Sequence, residues 1–284
     1  MLKIICAVFF MLLSLQVVAS PTLKTEGGSI EYQIKEGGDT VVLFDAGALS
    51  GMAGWDPIWN RLPADITAIR FSRLGEGNSG PCVGQRNAAD YVHEVEQILF
   101  ALNIKTPVIY VAHSLGAATA RNFAATHKGQ VAAMLMVDPE NPRDIDIVLK
   151  LNPDGGQQDI ETIKKSDYAA GKGKWCFLDM MWDKSTAKGV AEIGDIPVTL
   201  IAGVKVPKQP TSAFDSAEGR KLWGQYQSEW VTRFPQGKAI VTEKSSHFVQ
   251  DDEPELVVSE LIKLVNKVKV DHKTIQPSSV PQAK

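Results

Sequence analysis

Ser114 stands in the stretch Val111-Ala-His-Ser-Leu-Gly116, where an apolar β-branched run beginning at Val108 gives way to small residues, Gly116, Ala117 and Ala118. A serine at the corner between a buried strand and a helix is forced outward, with the helix N-terminus aimed at the same point, which suits a nucleophile. The position two residues before it holds Ala112, where the G-x-S-x-G pattern has glycine. A serine hydroxyl needs a base, and the chain has five histidines. His93 and His127 belong to stretches of helical spacing, His272 belongs to a polar tail, and His113 adjoins Ser114, where its ring lines or supports a site. His247 lies in a small-residue loop between the last strand-like run and the last helical run, at the sheet edge where Ser114 emerges, and is the candidate general base.

The elements that must hold these residues follow from periodicity. Apolar runs at Val41–Phe44, Thr67–Phe71, Pro107–Val111, Val131–Val137 and Pro197–Ala202 read as buried strands, with Ser29–Ile34 as an early half-exposed one and Lys238–Thr242 as a short late one. Helical spacing separates them. Tyr91, Val95, Ile98, Leu99 and Leu102 share a face in Asn87–Leu102, Leu115–His127 follows the serine, and Val257, Leu261, Leu264, Val265 and Val268 share a face after Pro254. This alternation is that of an α/β fold, a mostly parallel twisted sheet covered on both faces by helices. Between Asp138 and Asp195 the strand rhythm stops, and the polar helical stretches there read as a cap inserted after the sixth strand, covering residues about 139–195.

Bulk properties narrow the class. The 284-residue chain has a net charge of −3 with acids and bases interspersed, which gives no reason to expect nucleic acid or an anionic membrane surface as partner. Residues 1–19 carry Lys3, an apolar run and a small-residue end, the pattern of a secretory signal peptide, so the expected location is secreted or periplasmic without a stable membrane anchor. With Cys6 in that leader, Cys82 and Cys176 remain, and an even pair in an exported chain suggests a disulfide. It would join the loop after the Thr67–Phe71 strand to the cap, closing roughly 95 residues. The main domain is expected over 20–270, followed by a disordered tail at 271–284.

Taken with their order along the chain, these segments resemble the α/β-hydrolase superfamily. Asp45-Ala-Gly-Ala-Leu49 is similar to its oxyanion loop, Ser72-Arg-Leu-Gly-Glu-Gly-Asn-Ser79 to its Asp-Arg-x-Gly-x-Gly-x-Ser turn with serine in place of the aspartate, and Ser245–Glu255 to the segment bearing its histidine. The resemblance implies an α/β-hydrolase fold, no cofactor and no metal. It also implies a third residue, an acid. Most members carry it after the strand equivalent to Pro197–Ala202, where no carboxylate follows at once. Asp138, at the end of the preceding strand where some relatives carry it, is favoured over Asp215, with Glu140 third. The implied mechanism is a Ser114–Asp138–His247 triad with the backbone N–H groups of Leu115 and Ala48 as oxyanion donors.

The substrate expected is a small acyl compound, a carboxylic ester first. Lactonase, amidase or aminopeptidase and perhydrolase activities share the same triad, and a non-catalytic ligand-binding protein on this scaffold is the alternative of another class. Dehalogenases and epoxide hydrolases carry aspartate where Ser114 stands. Trp55, Trp175, Phe177, Met180, Met181 and Trp182 are candidates for an apolar pocket or for ordinary core.

Overall fold

The computed structural model describes residues 20–183 and 193–275, with side chains to Val270. The expected signal peptide, residues 184–192 of the cap and residues 276–284 of the tail lie outside the described residues. Eight strands form one sheet in the order β1-β2-β4-β3-β5-β6-β7-β8. These are β1 (Thr22–Thr25), β2 (Gly28–Lys35), β3 (Val41–Asp45), β4 (Thr67–Phe71), β5 (Val108–His113), β6 (Val131–Val137), β7 (Pro197–Gly203) and β8 (Gln236–Thr242). The β1–β2 and β2–β4 pairs are antiparallel, and every other pair is parallel.

Side chains of a strand point alternately to the two faces, so a sheet covered on both sides can be apolar throughout. In β5, Val108, Tyr110 and Ala112 enter one core, while Ile109 and Val111 enter the other. The first core is closed by α2 (Ala88–Ala101) and α3 (Gly116–Thr126), whose Val95, Ile98, Leu99 and Phe123 are buried in it. Asn87 starts α2 with a capping box, its side chain accepting from the amides of Ala89 and Asp90 while Asp90 accepts from the Asn87 amide. The second core is closed by α1 (Asp56–Trp59) and by α9 (Pro254–Ile275), through the five apolar residues from Val257 to Val268 expected on its face. This helix continues to Ile275, so the segment expected as disordered from residue 271 begins as helix; the polar sequence there carries no apolar stripe to announce it.

The interval after β6 holds α4 (Asp144–Leu151), α5 (Gly156–Ala170) and α6 (Leu178–Trp182) among the described residues. Then comes α7 (Ala217–Val231), between β7 and β8, and the short α8 (Val249–Asp252). Cys82 and Cys176 are joined in a disulfide with Cα atoms 6.2 Å apart. The same join carries hydrogen bonds, since the Arg86 amide donates to the Cys176 carbonyl at 2.7 Å and Gln85 Nε2 donates to the Trp175 carbonyl at 2.8 Å. The cap is thereby fastened to the loop after β4.

Candidate functional site

Because β3, β5, β6 and β7 run parallel, their C-terminal ends share one edge of the sheet, and four chain reversals meet there. Ser114 makes the reversal between β5 and α3 with φ +49°, a left-handed conformation that costs a non-glycine residue on the order of 1 kcal/mol or more. Asp138, just beyond β6, is also left-handed at φ +38°. The close approach at the elbow falls on Gly116, where an added Cβ would meet the Asp45 carbonyl oxygen at 2.6 Å. Ala112 lies fully buried within β5, its methyl accommodated in the first core, so the position that departs from the usual pattern is not the crowded one.

His247 arrives on the loop between β8 and α8 and meets both residues. Its Nε2 is 3.0 Å from Ser114 Oγ and its Nδ1 is 2.7 Å from Asp138 Oδ2. The other carboxylate oxygen, Asp138 Oδ1, accepts from the Gly203 amide at 2.9 Å and from Trp223 Nε1 at 2.8 Å. Asp138 is 1 % exposed, so a carboxylate there needs all these partners. Gly203 has to be glycine, because a Cβ would sit 1.8 Å from the Ser246 carbonyl oxygen as the histidine loop crosses the end of β7. Of the other carboxylates considered, Asp215 pairs with Arg220 at 2.5 Å, and Glu140 lines the cavity while its amide donates to the Ser114 carbonyl. Neither meets His247. Arg143 bonds Asp146 and Glu229.

Two peptide planes are set by what their carbonyls do. The Ser114 carbonyl accepts from the amides of Ala117 and Glu140, at 3.0 and 3.1 Å, which turns the Leu115 N–H of the same trans peptide the opposite way. The Gly47 carbonyl accepts from Arg73 Nη1 at 3.3 Å, which does the same for the Ala48 N–H. Leu115 and Ala48 both line the cavity with Ser114, and neither N–H has a hydrogen-bond partner among the described residues. Arg73 is buried and also bonds Asp45 at 2.5 Å, Glu76 at 3.3 Å and the Ala46 carbonyl. Burial pushes Asp45 up to about 6 even against Arg73, while Tyr110 donates to its second oxygen at 3.0 Å.

Sequence reasoning missed Glu31, Trp223 and Gln227, and it named Ser72 and His113 without their partners. Ser72, which stands where an aspartate is expected, donates to Glu31 Oε2 at 3.0 Å and accepts from the Met52 amide at 3.0 Å. Glu31 also accepts from the Asn78 amide and side chain at 2.9 and 2.7 Å, so the carboxylate is supplied from β2 across the sheet. Burial works to raise its pKa, but these bonds from Asn78 and Ser72 outweigh it and hold the carboxyl below the usual range. Trp223 and Gln227 on α7 fix the end of β6, the latter donating to the Pro139 carbonyl at 2.6 Å. His113 is buried with its ring centroid 4.7 Å from that of His247, and its Nε2 lies 2.9 Å from the His247 carbonyl oxygen. Burial, reinforced by His247, holds its pKa well below the ordinary imidazole value, so His113 is the neutral donor of that bond.

The cavity over Ser114 has a volume of about 480 Å³ and is closed on the cap side by Ile145, Val148, Ile160 and Ile163. Of the aromatic and methionine residues considered for it, Met181 and Trp182 line it. Trp55 is instead fully buried against Phe44, and Trp175, Phe177 and Met180 pack together where the cap meets Tyr91, Leu115 and Ala118. Apolar spacing alone could not separate wall from core. No cluster able to hold a metal ion occurs among the described residues.

Residues 41–260 match the sequence model of the Alpha/beta hydrolase family. The chain belongs to that family. An uncharacterized Bacillus subtilis (strain 168) protein, YqjL, is 29% identical over 119 residues, 42% of this chain and 47% of the relative. An AB hydrolase superfamily protein of Gibberella zeae is 28% identical over 102 residues, 34% of this chain and 32% of its own. The matches thus span about half and about a third of these curated relatives. Among solved structures, a carboxylesterase of the thaumarchaeon Nitrososphaera gargenis superposes with TM-score 0.63 at 16% identity, covering 88% of this chain and 100% of that one. The enol-lactonase of Burkholderia xenovorans LB400 does so with TM-score 0.58 at 12% identity, covering 87% and 100%. At these identities the likeness is one of fold, and within it this α/β hydrolase places its own serine, histidine and aspartate.

Proposed function

We propose that this α/β hydrolase is a serine hydrolase that cleaves a carboxylic ester through an acyl-enzyme on Ser114. The observation that carries the reading is the continuous relay from Ser114 Oγ through His247 to a buried Asp138 whose remaining oxygen accepts two hydrogen bonds. His247 Nε2 takes the hydroxyl proton as Oγ attacks the acyl carbon, and Asp138 stabilises the imidazolium that forms. The oxyanion is received by the Leu115 and Ala48 N–H groups, each worth roughly 3 kcal/mol of barrier. His247 then gives its proton to the departing alcohol, and water, activated by the same imidazole, releases the acid. A lactone is an internal ester and meets the same steps.

The cap side of the cavity, dominated by branched aliphatic side chains, supports a substrate with an apolar acyl or alcohol part. The leader-like residues 1–19 and the Cys82–Cys176 bond support a secreted or periplasmic location. The test is labelling by a fluorophosphonate together with turnover of p-nitrophenyl esters. Wild type is expected to label and turn over, and Ser114→Ala to do neither. A wild type that fails both is a scaffold without this chemistry.

A further inference from the structure

Helix α7 turns three hydrogen-bonding side chains to its buried face at helical spacing, Arg220, Trp223 and Gln227. Two are spent on the end of β6, Trp223 on Asp138 and Gln227 on the Pro139 carbonyl. Arg220 does something else. It lines the cavity that contains Ser114, its side chain is only 9 % exposed, and one of its five N–H groups is used, by Nη2 donating to Asp215 Oδ1 at 2.5 Å. Its Nε is shut off from the cavity and has no partner among the described residues, so the N–H groups left for a ligand are those on Nη1 and the second on Nη2. Phe214 lies against the guanidinium, 5.1 Å from ring centroid to Cζ, and Phe214 in turn packs edge-on against Trp223. The group is therefore held in place from two sides, in a wall that is otherwise largely apolar.

A guanidinium N–H that faces a largely apolar cavity without a partner gains a charge-assisted hydrogen bond when a bound ligand offers an acceptor there. We infer that Arg220 is a specificity-determining residue that hydrogen-bonds an oxygen acceptor on the substrate, remote from the scissile carbonyl. This inference rests on the proposed esterase reading of Ser114. The acceptor is a neutral carbonyl or ether oxygen. Asp215 already balances the guanidinium charge, and Glu140, Asp144 and Asp167 on the same cavity disfavour an anion. The substrate class is an ester whose apolar acyl chain carries an internal oxygen, such as an oxoacyl ester.

The experiment compares kcat/KM of the full chain on p-nitrophenyl octanoate with that on the 3-, 5- and 7-oxooctanoate esters and on the half-ester of suberate. Octanoate is the reference within each protein, so the readout is a ratio. Wild type is expected to favour at least one oxo ester by roughly ten- to a hundredfold, the range of a hydrogen bond to a charged group. Arg220→Met is expected to bring that ratio close to one, and Asp215→Asn, which keeps the guanidinium, to retain it. Octanoate turnover by wild type with no oxo ester preferred overturns the inference while leaving the esterase reading standing. A preference that survives Arg220→Met, or an Arg220-dependent preference for the suberate half-ester above every oxo ester, also overturns it. No turnover of any ester overturns the esterase reading itself. A wild type that prefers no oxo ester overturns the inference whatever becomes of the variants, and because octanoate is the reference within each protein, a poorly folded fraction of Arg220→Met lowers both rates without moving its ratio.

Discussion

Replacing Asp138 by asparagine exchanges one oxygen for an NH2 group with almost no change of shape, and the surroundings dictate which oxygen is lost. Oδ1 faces two donors, the Gly203 amide and Trp223 Nε1. If the new amide turned its NH2 toward them, two buried donors would lose their acceptor, costing on the order of 2 kcal/mol or more. Fewer than about one molecule in twenty-five would adopt that orientation. In the rest, the NH2 faces His247 Nδ1, which must then accept. The ring proton moves to Nε2, and Nε2 can no longer receive the proton of Ser114 Oγ, 3.0 Å away. Loss of the correct tautomer in a triad costs roughly four orders of magnitude in kcat.

Stability should change much less, by about 1 kcal/mol, because a charge-assisted bond is replaced by a neutral one in the same place. Asp138→Asn is therefore expected to lose about 10⁴-fold in kcat on a p-nitrophenyl ester, while its midpoint of thermal unfolding falls by roughly 2–4 °C. Asp215→Asn, whose carboxylate meets Arg220 and Ser212 rather than His247, should lose less than tenfold on the same ester. Stopped-flow or steady-state hydrolysis at neutral pH measures both. If Asp138→Asn keeps more than a tenth of the wild-type rate, or if Asp215→Asn falls as far, the relay drawn from the geometry is not the one that works.

Glu31→Gln should destabilise by about 1–3 kcal/mol, since Ser72 and Asn78 lose a charged acceptor. Ser72→Asp should be harmful alone and should recover at least about 1 kcal/mol in the Glu31→Gln background, and a strictly additive urea-unfolding cycle would refute the exchange of carboxylates. His113 is buried neutral, whereas the unfolded chain protonates this imidazole as pH falls through about 6.5. The unfolded state then binds more protons, so stability drops with falling pH, by up to about 1.4 kcal/mol per unit. His113→Gln should flatten the stability slope between about pH 6.5 and 5, and an unchanged slope removes His113 from the acid response. Cys82→Ser with Cys176→Ser should lower the stability by roughly 2–4 kcal/mol, below the ceiling for a link across 94 residues, and a loss under about 1 kcal/mol means the join does not constrain the unfolded chain.

The sequence made visible those parts whose burial is apolar and local. Val131–Val137 is an uninterrupted apolar run between Gln130 and Asp138, Thr67–Phe71 is a largely apolar one broken by Arg70, and both strands have those bounds. The face of α9 was legible because five aliphatic residues repeat along it. Helix α7 was not, because much of its buried face is Arg220, Trp223, Gly224 and Gln227, residues chosen for hydrogen bonds and close approach rather than for an apolar stripe. β1 was missed for another reason: it is a short edge strand with an exposed and half-exposed alternation, ordered by pairing with β2. Ser114, His247 and Asp138 could be named from their places at strand ends, but Glu31 could not. Its role exists only because β2 lies beside β4 and brings it to Ser72.

Three departures from the usual pattern could be read as the decay of a site, and each meets a physical answer that argues the other way. Ala112 puts its methyl into the first core, and the close approach to the Asp45 carbonyl oxygen falls on Gly116, which is a glycine. Ser72 lacks the expected carboxylate, yet Glu31 provides one, and the Ser72 hydroxyl that donates to it accepts from the Met52 amide at the end of the loop that carries Ala48. No acid follows β7, and there the Gly203 amide is turned instead onto the acid one strand earlier. A scaffold released from catalysis has no reason to keep Asp138 buried and fully bonded, since a buried carboxylate without its base partner is a liability of several kcal/mol. Nor has it reason to hold two left-handed non-glycine residues facing one imidazole. Strain at Ser114 and Asp138 and buried charge at Asp138 converge on the His247 imidazole, and the proposed relay gives each of them a use that folding alone does not.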